Sequence, residues 1–233
     1  MATAVGEGVR EARARQVKDA ILEAAIAAFA EKGFEGTAIS EIAAISGARQ
    51  TLIVYHFGSK EALWERAAER LMAQFDELQT TCFERLPKPL DDHARLRAVL
   101  LSFIQALREL PAYGKLLLRE GSRPSQRMLW LDHHYIPRVY RAMAFADPAL
   151  TRLFGTVNLL RYAVAGAILF IVVAGPQIAV SAAEQGGEPP ADLYPLSDPL
   201  SDKLADMLCD FVFQQLGVAV PAAVEEPGQL GLW

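Results

Sequence analysis

Residues 14–64 read ARQVKDAILEAAIAAFAEKGFEGTAISEIAAISGARQTLIVYHFGSKEALW, and the punctuation of this stretch decides the fold. Val17, Ile21, Leu22, Ala25, Ile26 and Phe29 recur at spacings of three and four, which gives a helix one apolar face. Gly33 stops that helix. A short second helix is expected to start within Thr37–Ser40, whose hydroxyls can cap free backbone N–H groups, and to turn Ile39, Ile42 and Ala43 inward. It ends at Gly47, where a sharp turn calls for the positive φ that glycine accepts.

A third helix, roughly 49–57, follows at once. Ile53 and Leu52 face inward, leaving Gln50, Thr51, Tyr55 and His56 outward. That outward set has no acid and several hydrogen-bond donors, which suits a helix lying in a DNA major groove. Gly58-Ser59-Lys60-Glu61 closes it and caps a fourth helix, with Lys60 placed for a phosphate.

This segment resembles the DNA-binding domain of the TetR family of one-component transcriptional regulators. The residues that carry the resemblance are the pattern from Ile21 to Phe29, Gly33-Phe34, Thr37, Ile42-Ala43, Gly47, Tyr55-His56-Phe57 and Ser59-Lys60-Glu61-Ala62-Leu63, about a fifth of the chain. Carried over, the family's DNA contacts fall on Ser40 of the second helix, Gln50, Thr51 and Tyr55 of the third, and His56 and Lys60 for the backbone. A glutamine amide can bond adenine N6 and N7 together, so Gln50 is the base reader. Tyr55, His56 and Lys60 position the protein on phosphates. The chain departs from the family at Leu52 and Val54, where many members carry a hydroxyl residue and a tyrosine that meet phosphate. Arg49 replaces one of these contacts, so the resemblance implies a shifted footprint.

Charge is distributed to match. Residues 1–60 hold seven Lys/Arg and seven Asp/Glu, residues 61–233 sixteen and twenty-one, so the body carries the whole net charge of −5. Arg10, Arg13, Arg15 and Lys18 cluster at the amino-terminal edge, as an arm that reaches DNA or as a solvated tail. A hydrophobic content of 52% excludes general disorder. Cys82 and Cys209 are far apart and each lies in a helical pattern, which indicates buried thiols in a reducing compartment rather than a disulfide framework. The amino terminus lacks the apolar block of a signal peptide, which implies a cytoplasmic protein.

The rest of the chain reads as helical, so the fold class is all-α. The expected organisation is a helix-turn-helix head with its arm over 1–60, a helical ligand-binding and dimerisation body over 61–220, and a tail over 221–233. Helices are expected over 60–85, 91–110, 113–120, 125–144 with a break at Pro137, 148–174 and 200–216, followed by no strand of consequence. Tyr162–Gly175 is free of charge, but Arg161 before it and Gly175-Pro176 after it leave it short of the about 20 residues that span a membrane. A helix apolar all round is then one buried between its own domain and a partner subunit. The resemblance implies a homodimer through the last two long helices, 156–174 and 200–216, that reads a palindromic duplex operator.

It also implies a small-molecule effector within the body. Phe75, Phe103, Leu107, Leu117, Trp130, His134, Asn158 and Tyr162 are the candidates to line its site, although any one of them is more readily ordinary core. Such a wall, with His134, Asn158 and Arg161 as polar groups, suits a mostly apolar molecule with one polar end. Asp132, His133 and His134 are not read as a metal site, because adjacent helical residues point about 100° apart. Arg119-Glu120 is read as a helix-packing ion pair. No Glu-x-x-His pair, phosphate-cradling loop or nucleophile elbow is present, so neither an enzyme nor a cofactor is expected. The expected function is a ligand-released repressor. The alternative is a helical ligand-binding or interaction protein of the same fold that has lost sequence-specific DNA binding at Leu52 and Val54.

Overall fold

A computed structural model of the chain describes residues 2–84, 90–135, 145–155, 159–186 and 197–217. Among these residues every regular element is a helix: α1 (Ala2–Gly36), α2 (Ile39–Ser46), α3 (Gln50–Phe57), α4 (Lys60–Glu84), α5 (Asp92–Glu109), α6 (Pro111–Gly121), α7 (Gln126–His134), α8 (Pro148–Gly155), α9 (Leu159–Glu184) and α10 (Asp198–Leu216). Pro137 and Asn158 lie outside the described residues. The chain divides into two compact units, Met1–Gln74 with Lys115–Trp130, and Phe75–Gly114 with Leu131–Trp233.

In the first unit the apolar face of α1, including Ile21, Ala25 and Phe29, is buried together with Ile42 of α2, Ile53 of α3 and Leu63 and Trp64 of α4. The helix begins at Ala2, well before Val17, and Arg13, Arg15 and Lys18 are exposed on it. Gly33 breaks it with φ of 72°. The expectation of a hydroxyl cap on α2 is corrected. Its cap position is Ala38, with no side-chain bond. The Thr37 hydroxyl, buried, lies 2.7 Å from the Gly33 carbonyl and 3.1 Å from that of Ala28, so it donates backward to α1. Orphaned carbonyls at a helix end need such donors.

Residues 115–130 supply more of them. Arg119 donates through Nε to the Ala30 carbonyl at 2.9 Å and through a second nitrogen to that of Glu31. Lys115 pairs with Glu31 at 2.6 Å. A cation over the carboxyl end of a helix also opposes its dipole. Arg119 and Glu120 therefore do pack helices, but not with each other: Glu120 is bound by Arg127, Nε to Oε2 at 3.1 Å. Arg70 of α4 ties back to Asp19 and Glu23 of α1, at 2.6 and 2.7 Å.

In the second unit α5 and α10 pair antiparallel. Acids spaced four apart on α10 meet side chains of α5 in reverse order: Asp198 pairs with Arg108 at 2.6 Å, Asp202 and Asp206 pair with Arg97 at 2.7 and 2.5 Å, and Asp210 lies 3.5 Å from the His93 ring nitrogen. Beneath this row Leu204, Leu208, Cys209, Val212 and Phe213 are buried. Phe75 stacks on Tyr113 with centroids 3.9 Å apart and meets Phe103 edge-on at 5.8 Å.

Gly175-Pro176 does not close a helix, contrary to the sequence reading. Pro176 lies inside α9, which runs on to Glu184. Proline's fixed φ is a helical value, and only the bond to the carbonyl four residues back is lost. Tyr162–Glu184 is consequently long and apolar enough to cross a membrane, by length and composition, and only 18% of its most apolar window is buried. Phe170 stands 63% exposed, with Tyr162 and Val180 also in the open.

Candidate nucleic-acid interface

The local sequence makes α3 a short rod with one anchored side. Gly47 before it has φ of 70° and Gly58 after it φ of 80°, conformations that L side chains rarely adopt. Arg49 takes the extended cap position, and the Gly58 N–H returns to the Val54 carbonyl at 2.8 Å. Between these limits Ile53 is the buried residue, 1% exposed, with Leu52 and Phe57 half-buried.

Everything else on the helix faces out. Arg49, Gln50, Thr51 and Tyr55 are exposed, Tyr55 at 80%, and His56 is half-buried, its ring 5.2 Å from that of Tyr55. Ser40 is exposed on α2. The acid of α2, Glu41, is paired with Lys32 at 2.7 Å, which reduces the negative field beside this face. Lys60 opens α4 half-buried, its Nζ 4.4 Å from the Phe34 ring centre, and the Ser59 hydroxyl accepts the Ala62 N–H at 3.1 Å to cap that helix. Val54, which the sequence reading treated only as a departure, is 53% exposed. Its position four residues after Gln50 is the signal that places it on the outward face.

The residues assigned to an effector fall in both compact units. Leu117 and Trp130 belong to the first unit, where the Trp130 ring meets buried Trp64 at 5.8 Å. Phe75, Phe103, Leu107, His134 and Tyr162 belong to the second. Of these, Phe75 and Leu107 are buried, Phe103 is half-buried, and His134 and Tyr162 are exposed. Asp132 and His133 are exposed as well.

Residues 21–67, which contain this interface, match the family described as "Bacterial regulatory proteins, tetR family". Residues 21–67 carry the helix-turn-helix domain of the TetR family of transcriptional regulators. The description is that of regulators, not of enzymes. Among curated TetR-like relatives, the HTH-type transcriptional repressor NicS of Pseudomonas putida is 35% identical over 106 residues, 46% of this chain and 43% of NicS. The HTH-type transcriptional regulator RutR of Escherichia coli is 42% identical over 57 residues, 24% of this chain and 27% of RutR. The matched stretch thus spans less than half of either relative. A solved transcriptional regulator from Rhodococcus sp. Rha1 superposes with a TM-score of 0.60 at 14% identity, over 87% of this chain and 99% of its own, and so shares the all-α fold.

Proposed function

We propose that the protein is a dimeric repressor that covers a promoter in the cytoplasm and is released by a small, mostly apolar effector. The observation that carries the reading is the exposed, acid-free face of α3, held out by the single buried anchor Ile53 between two positive-φ glycines. Gln50 reads a base, and Ser40, Arg49, Thr51, Tyr55, His56 and Lys60 hold the duplex backbone.

Two such helices related by a two-fold axis call for a palindrome with half-sites about 34 Å apart. The dimer forms through α9 and α10. Support comes from the apolar side chains these helices leave in the open: Tyr162, Phe170 and Val180 on α9, Met207 and Phe211 one turn apart on α10. A second copy would cover them, so α9 is assigned to the subunit interface and not to a membrane.

The expected domain division, head 1–60, body 61–220 and tail 221–233, is retained, with the effector in the body. Phe75, Phe103, Leu107, His134 and Tyr162, all of the second unit, remain its proposed lining. The continuous helix α4 carries residues of both compact units and is the element the effector shifts. The effector acts only by preferring one state, and a coupling of about 1–3 kcal/mol is ordinary.

The test is selection from a random duplex library by the purified protein at several salt concentrations, with Gln50→Ala alongside. Enrichment of a palindrome, relaxed at one position per half-site by Gln50→Ala, is the expected result. No enrichment at any salt overturns the reading and favours a body-only binding protein.

A further inference from the structure

We propose that Val54 is a base-reading residue whose methyl groups pack on the 5-methyl of a thymine in the groove that Gln50 reads. The inference rests on α3 being a DNA reader.

Gln50, Thr51, Val54 and Tyr55 form the outward side of α3, opposite Ile53. Gln50 and Val54 lie one turn apart, about 6 Å along the axis and about 40° round it. That span is close to two base-pair steps of 3.4 Å. A residue on the same side as the base reader, one turn further along, meets base edges before it meets the phosphate rim.

The fold does not ask for valine here. Position 54 contributes to the helix end through its carbonyl, which accepts the Gly58 N–H whatever the side chain. A β-branched residue is a mediocre helix former. Its two methyls stand in water at 53% exposure. Within residues 11–60 the large apolar side chains so exposed are Ile45, Val54 and Tyr55, all on α2 and α3 and none on the longer α1.

The chemistry then selects the partner. An isopropyl group neither donates nor accepts, so it makes no phosphate bond and cannot follow a donor–acceptor pattern. The feature of a major groove it can distinguish is the thymine methyl, which removes apolar surface from water on both sides. Where the family resemblance implies a tyrosine hydroxyl on phosphate, this chain exchanges a positioning contact for a specifying one. Leu52 makes no such exchange, because it is half-buried.

The experiment uses the full chain and the duplex recovered from random selection, with each thymine replaced in turn by deoxyuridine, which removes the methyl alone. One thymine per half-site is expected to matter, its replacement weakening wild-type binding about fourfold per half-site, the worth of one buried methyl. Val54→Ala is expected to bind the thymine and deoxyuridine duplexes equally, while Gln50→Ala keeps the difference. Circular-dichroism melting verifies that Val54→Ala, an exposed change, folds as wild type. A selected site that is indifferent to every methyl, or a Val54→Ala protein that keeps the wild-type ratio, overturns the assignment of Val54 alone. Failure to select any site overturns the DNA-reading function and Val54 with it.

Discussion

The guanidinium carbon of Arg127 lies 4.0 Å from the centre of the Phe34 ring, while its Nε is 3.1 Å from Glu120 Oε2. Phe34 in turn stacks on Phe29 at 5.9 Å, inside the core of the helix-turn-helix unit. Glu120 is 6% exposed and, besides Arg127, receives the Ser125 hydroxyl at 3.3 Å. Arg127→Met keeps much of the side-chain volume but leaves a buried carboxylate uncompensated. The expected loss is about 2–4 kcal/mol, read from urea unfolding, with partial recovery in Arg127→Met/Glu120→Gln. An unchanged midpoint would contradict this account of the contact.

Gly114 is required for space, not for backbone freedom. A Cβ there would stand 2.8 Å from Val173 Cγ2 and 3.1 Å from Leu107 Cδ2. Gly114→Ala should destabilise by about 1–3 kcal/mol through overpacking, although alanine is the better helix former. Gly47→Ala meets no atom within 4 Å and suffers from its φ of 70° alone, at about 1–2 kcal/mol. Thermal melts of the two variants with Gly114→Ala/Val173→Ala separate the causes: the added cavity should rescue Gly114→Ala.

Cys209 should be inert in the native protein. Burial pushes its thiol up to about 12, and Sγ rests 3.6 Å from the His93 carbonyl. In a Cys82→Ala background, reaction with a thiol reagent at pH 7 should proceed only as fast as the protein opens. Rapid labelling without denaturant would show the thiol accessible and its burial wrong.

Glu31 supplies a pH dependence with a definite sign. Hydrogen bonding and attraction from Lys115 hold its carboxyl below the ordinary 4.5. Its folded-state value is therefore depressed, and the stability it contributes is present above about pH 4.5 and lost as pH falls through the lower value. Glu31→Gln should flatten the acid limb of a urea-midpoint profile below about pH 4.5. A limb of unchanged slope would mean that the pair contributes nothing.

Gln50, Thr51 and Tyr55 were legible as outward residues because an eight-residue helix between two glycines has one strong apolar anchor to sit on, whereas His56 is half-buried and the exposed Val54 was not foreseen. The direction in which a hydroxyl bonds was not legible. Thr37 can donate or accept, and the nearby carbonyls of α1 decided it. Arg119 and Glu120 were recognised as packing charges, but their partners lie far off or across a turn and follow from tertiary contact. The acids at 198, 202, 206 and 210 form a stripe visible in the sequence, but its partners on α5 follow only from tertiary contact. Pro176 reads as a stop, whereas its fixed φ is a helical one and the helix continues through it to Glu184.

The central claim is that α3 distinguishes one duplex from another, and a titration of the selected duplex and a scrambled one of equal length tests it directly. Fluorescence anisotropy over a range of salt gives both the affinity ratio and the number of phosphates engaged. The account expects the selected duplex to be favoured by about 10³ or more, with Gln50→Ala losing about 5–150-fold on it at an unchanged salt slope. Equal affinity for both duplexes, or a Gln50→Ala protein that binds as wild type, would contradict it.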